Sequence, residues 1–85
     1  MVPRQITAFF VLDGKNEGEA ISFDPESSMV DLIRRVADAL EVEIDDPKEW
    51  SLWHEVGGKA FRIREMVSLE RNTVYTLKRK RMCTF

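Results

Sequence analysis

Cysteine is nearly absent: Cys83 is the only one in 85 residues. An intrachain disulfide and a thiolate metal cluster are thereby excluded, so an apolar core must hold the chain together. A reducing, cytoplasmic setting is the expectation that follows. Histidine is equally scarce. His54 stands alone, which leaves no histidine pair for zinc and no support for a Ser-His-acid relay. It is expected to be an ordinary strand residue beside Trp53. Three prolines and four glycines are too few for a low-complexity tract. No apolar run approaches the ~20 residues of a membrane span, and no signal-peptide pattern opens the chain. The carboxylates lack calcium-loop spacing, and Gly57-Gly58 is not the phosphate-loop pattern of glycine-spaced amides followed by a lysine and a hydroxyl at a helix start. The expectation is a chain that is not an enzyme and needs no cofactor or metal.

What is present is ordinary globular material, 44% hydrophobic and 33% charged, enough for one domain with one modest core. The net charge of −2 conceals an uneven distribution. Asp13 through Glu49 carries twelve acids against four bases, whereas Trp50 through Phe85 carries three acids against eight bases. Two readings stay open: solvated faces, or a basic edge that meets an acidic protein or a lipid headgroup. An acidic whole chain argues against nucleic acid, although Lys78-Arg79-Lys80-Arg81 is a local cationic cluster.

Periodicity supplies the elements. In Gln5–Leu12, Ile6, Ala8, Phe10 and Leu12 alternate with Thr7, Phe9 and Val11. Both faces are largely apolar, which predicts a central strand. Asp13-Gly14 signals a turn, Gly18 offers a second point of easy positive φ, and Ala20–Phe23 returns with Ile21 and Phe23 on one face. Asp24-Pro25 stops that strand. Ser28 is the expected helix cap, with Asp31 three residues on as the answering arm. Met29, Leu32, Ile33, Val36 and Leu40 recur at helical spacing through Met29–Glu41, with Arg34, Arg35 and Asp38 on or near the opposite face. Asp45-Asp46-Pro47 ends the connection. Trp50–Val56 and Lys59–Ile63 flank the turn signal Gly57-Gly58. Glu65–Arg71 reads as an irregular connection with Leu69 plugging the core. Thr73–Arg79 closes the chain, with Tyr75 and Leu77 inward. Hairpin, helix, hairpin and closing strand is the order of an α+β, ubiquitin-like β-grasp. In it, one helix packs across a mixed sheet of four to five strands over residues 1–80, and 81–85 form a tail.

Ile21 to Pro25, Ser28-Met29-Val30 and the helix that follows resemble the same stretch of ubiquitin-like domains. Trp50 to Trp53 and Leu69 to Lys80 narrow the likeness. They resemble the leading ubiquitin-like subdomain of talin and kindlin, FERM-type adhesion proteins, and the Ras-binding-like domain of ELMO and formin scaffolds. The resemblance implies a binding module of a cytoskeletal or signalling scaffold. It also implies a Ras-, Rap- or Rac-type GTPase as partner, pairing with the second strand while basic residues meet its acidic switch region. Arg34 and Arg35 match the basic helix positions, Arg35 the better aligned. Lys15 falls in the hairpin loop, and Glu19 stands where talin-like binders carry a cation. The chain's last residues, Met82 to Phe85, lack the Gly-Gly tail of a conjugated modifier.

Trp50 and Trp53 differ by three and must face opposite sides of a strand. One of them is expected at the rim, and Trp53 is the candidate interface anchor. Candidate partner contacts are therefore Lys15, Arg34, Arg35 and Trp53. Lys78, Arg79, Lys80 and Arg81 form a candidate basic edge for weak anionic-lipid binding. Self-association, with the acidic flank between Asp38 and Glu49 against the basic flank of another copy, is a further expectation.

Overall fold

A computed structural model describes residues 5–79. Its elements run β1 (Ile6–Leu12), β2 (Gly18–Phe23), α1 (Met29–Ala39), a short 3-10 turn at Pro47–Glu49, β3 (Trp50–Val56), β4 (Lys59–Ile63), a second 3-10 turn at Met66–Ser68, and β5 (Val74–Arg79). The five strands form one sheet in the order β2-β1-β5-β3-β4. β1 and β5 run parallel, and the other neighbours are antiparallel. A single helix across a mixed five-stranded sheet is the ubiquitin-like β-grasp that the segment order predicts.

Local chemistry sets most boundaries. The Ser28 Oγ accepts from the Asp31 N–H at 3.1 Å, which satisfies a backbone donor that the helix cannot. The helix stops at Ala39, two residues before the expected end, and Glu41 turns out of it at φ 58°. Asp46 caps the turn at Pro47–Glu49 by accepting from the Lys48 N–H at 2.9 Å. Gly57 and Gly58 hold φ of 58° and 81°, the left-handed pair of a tight hairpin turn that matches strand twist. Gly18 differs from expectation. It lies inside β2, where a Cβ would sit 2.6 Å from the Phe10 carbonyl oxygen and 2.9 Å from Val11 Cγ2. Close backbone approach requires it, not positive φ.

The core lies between α1 and one sheet face. Phe10, Phe23, Leu32, Val36, Leu52, Tyr75 and Leu77 are fully buried there. Phe10 meets Phe23 edge-on with centroids 6.0 Å apart and lies 5.9 Å from Tyr75. Leu69 closes the core after the second 3-10 turn, as expected, and the Tyr75 Oη accepts from the Glu70 N–H at 2.7 Å. Ala37 is also buried, a contact that the helical stripe did not include. His54 lies in β3, where its Nδ1 is 3.2 Å from the Val74 carbonyl oxygen and its ring lies 5.5 Å from Tyr75.

β1 is central, but only one of its apolar faces is covered. Ala8 and Phe10 are buried, while Phe9 remains 45% exposed. α1 covers the Ala8 and Phe10 side, and the Phe9 side has no covering layer among the described residues.

Candidate protein-interaction surface

The second face of the sheet carries no layer of its own among the described residues. Strand register decides what it displays. Phe9 sits beside Ala20 on β2 and beside Val74 on β5, so these three form a row across three strands. The next row runs Gly18, Val11, Thr76, Trp53, Arg62 across the whole sheet. Alternation puts all of these opposite the helix, since Phe10, Ile21, Tyr75 and Leu52 occupy the intervening positions. Val74 is 53% exposed, so Phe9 and Val74 form a neighbouring pair of large apolar groups in solvent. Large contiguous apolar surface marks sites where proteins meet, which makes this pair the candidate contact.

Polar groups border the patch. The Thr7 and Ser22 hydroxyls bond to each other at 2.7 Å beside the Phe9 row. At the other end, Trp53 folds back over Ser51, its Nε1–H donating to the serine Oγ at 2.9 Å. Lys78 Nζ stands 5.5 Å from the Trp53 ring centroid and 3.8 Å from Glu55 Oε1. The indole is thus half-buried, clamped beneath by a hydroxyl and beside by a cation. Trp50, three residues earlier, packs against the core on the helix side, so the two tryptophans divide as the strand period demands.

The other candidate residues fall in separate places. Arg34 and Arg35 are both exposed but point about 100° apart around the helix axis. Arg35 shares its flank with Ala39, which lines a hollow of about 370 Å³ beside β2 together with Lys15, Glu17, Glu19 and Glu41. Lys15 is in the β1–β2 loop, as expected, and Glu19 lies within β2. Its register with Phe10 places Glu19 on the helix side. Three carboxylates therefore surround the one lysine of that hollow.

Lys78 and Arg79 do not form a basic edge. β5 is an interior strand between β1 and β3, and its pleat sends the two side chains to opposite faces. Both are partnered: Lys78 with Glu55 and Trp53, Arg79 with Glu49 at 3.2 Å. Lys80 and Arg81 lie outside the described residues. No sequence signal exposed this pairing, because β3–β5 register brings the acids in from 30 and 23 positions away. The open apolar patch was legible only as the second apolar face of β1.

Groups of His, Cys, Asp and Glu that could hold a metal are not found among the described residues, nor is a helix long and apolar enough to cross a membrane.

No family model and no curated protein matches the chain. Solved structures do match. One, described as "Molecular Mimicry of SUMO promotes DNA repair", has a TM-score of 0.62 at 19% identity, covering 87% of this chain and 90% of that one. A computationally designed protein based on human erythrocytic ubiquitin gives 0.59 at 17% identity, covering 94% and 98%. The N-terminal ubiquitin-like domain of the 4931431F19Rik protein gives 0.61 at 10% identity, covering 99% and 82%. These likenesses establish the ubiquitin-like fold.

Proposed function

We propose that this domain is a non-catalytic protein-interaction module that docks its partner on the open face of the sheet. The observation that carries this reading is the solvent-facing pair Phe9 and Val74, set in a cross-strand patch with Ala20, Val11 and Trp53. Burying such side chains releases about 25 cal/mol per Å² of apolar surface, and a half-buried tryptophan at the margin supplies a rigid anchor. The Lys78–Glu55 pair beside it would orient a polar rim. Affinity capture from a cell lysate, quantified for wild type and for a Phe9→Asp/Val74→Asp variant, tests this. Proteins retained by wild type and by an Arg34→Glu/Arg35→Glu control, but lost from the open-face variant, support it. An unchanged set on the open-face variant refutes it.

A second reading keeps a Ras-superfamily GTPase as partner, in the setting of a cytoskeletal or signalling scaffold. The free edge of β2 and the position of Arg35 on that flank favour it. Glu17 and Glu19 would oppose an acidic switch region there. Amide shifts in β2 and around Arg35 that appear with GTP-loaded and not GDP-loaded Ras, Rap or Rac proteins would support this mode. Silence across that panel would remove it.

A further inference from the structure

The two edges of the sheet carry opposite charge, and the strand directions place those charges at corresponding ends. Glu17, just before β2, and Glu19, within it, line the hollow between that strand and the end of α1 together with Glu41; Lys15 is the one cation lining it. At the other margin, β4 and the residue after it carry Lys59, Arg62 and Arg64 and no acid. Arg62 and Arg64 line a matching hollow of about 370 Å³, floored by Met29, Ile33, Trp50 and Ile63. Glu17, Glu19, Lys59, Arg62 and Arg64 are exposed, and none makes an ion pair within the described residues.

Both margins also expose backbone. The tight turn at Gly57-Gly58 makes Val56 and Lys59 the closing hydrogen-bonded pair, so alternate residues Ala60 and Arg62 direct their N–H and C=O groups to the free edge. β2 has its second edge free in the same way. Following the pairings across the sheet, β2 and β4 run in opposite directions. A second copy placed alongside in the same orientation would therefore extend the sheet with an antiparallel β2–β4 pair. In that arrangement the acidic hollow at the start of β2 lies level with the hollow lined by Arg62 and Arg64 at the end of β4, so the attraction acts between the two margins. Glu19 points to the helix side and Arg62 to the open side, and they are not a directly opposed pair.

We propose that copies of this chain associate head to tail, the acidic β2 edge of one against the basic β4 edge of the next. The same charges forbid the symmetric alternatives. Two β4 edges would oppose cations with cations, and two β2 edges would oppose carboxylates with carboxylates. Only the unlike pair is attractive, and such a contact leaves a free edge at each end, so it propagates instead of closing. The contact lies at the sheet margins and leaves the Phe9 and Val74 pair solvent-facing along the extended sheet, although Arg62 ends the open-face row that includes Trp53.

Sedimentation velocity of the whole chain at rising concentration, up to about 1 mM, is the test. The sedimentation coefficient should climb with concentration in low salt, and the association should weaken roughly tenfold between about 0.05 M and about 0.5 M salt. Arg62→Glu/Arg64→Glu and Glu17→Lys/Glu19→Lys variants should each remain monomeric. Mixing the two should restore assembly, because each regains an unlike edge; all four positions are exposed, so circular dichroism should show both variants folded. A wild-type chain that stays monomeric throughout overturns the proposal. So do variants that still assemble alone, or a mixture that does not assemble. Concentration-dependent amide shifts at Phe9 and Val74 with none in β2 or β4 would also overturn it, by making the open face the self-contact. Binding of an acidic synthetic peptide to β4 by a chain that never self-associates would assign the basic edge to another protein instead.

Discussion

The two faces of this sheet are built from the same strands and are both apolar along β1, yet they meet different fates. Under α1, Phe10, Ile21, Leu52, Tyr75 and Leu77 are buried to within a few per cent. One residue away along each strand, Phe9, Ala20 and Val74 are left in solvent. Hydrophobicity alone does not decide burial; the presence of a second layer does. Residues on the covered face stabilise the fold, and those on the open face are available to a partner.

Substitutions on the two faces should separate these roles. The largest effect is expected at Phe10, where truncation to alanine removes a ring packed on Phe23 and Tyr75 and should cost about 3–5 kcal/mol in urea unfolding. The matching change one residue away, Phe9→Ala, should cost no more than about 1 kcal/mol, since it loses only cross-strand contact. A Phe9 effect as large as that of Phe10 would erase the distinction. Tyr75→Phe keeps the ring and removes the bond from the Glu70 N–H, so about 1 kcal/mol should be lost. Ser28→Ala should cost about 1 kcal/mol through the helix cap, seen as a lower unfolding midpoint. The smallest effect is expected from Arg79→Ala, whose exposed pair with Glu49 is worth about 0–1 kcal/mol and should fade with added salt.

Much of the covered face was legible in the sequence because its signals are local. The helical stripe through Leu32, Ile33 and Val36, the Ser28 cap and the Gly57-Gly58 turn each depend on a few adjacent residues. Ala37 escaped because a small side chain adds little to an apolar stripe. The open face was harder to see. Alternation shows that Phe9 and Val11 share a side, but whether anything covers that side depends on how many layers the chain can build. Cross-strand neighbours are also long-range facts. The meeting of Phe9 with Val74 and of Lys78 with Glu55 follows from register between distant strands. That is why Lys78 and Arg79 read as part of a cationic cluster in sequence and stand paired with Glu55 and Glu49 in the fold. Arg34 and Arg35, adjacent in sequence, point apart for the equally simple reason of helical twist.

Photo-crosslinking in cells bears most directly on the open face. A photoreactive residue would replace Phe9 or Val74 in two variants and Arg34 or Asp38, on the solvent side of α1, in two others. Docking on the open face requires discrete protein adducts from positions 9 and 74, with little or nothing from 34 and 38. Adducts confined to the helix positions would contradict it, leaving the exposed apolar face without a partner.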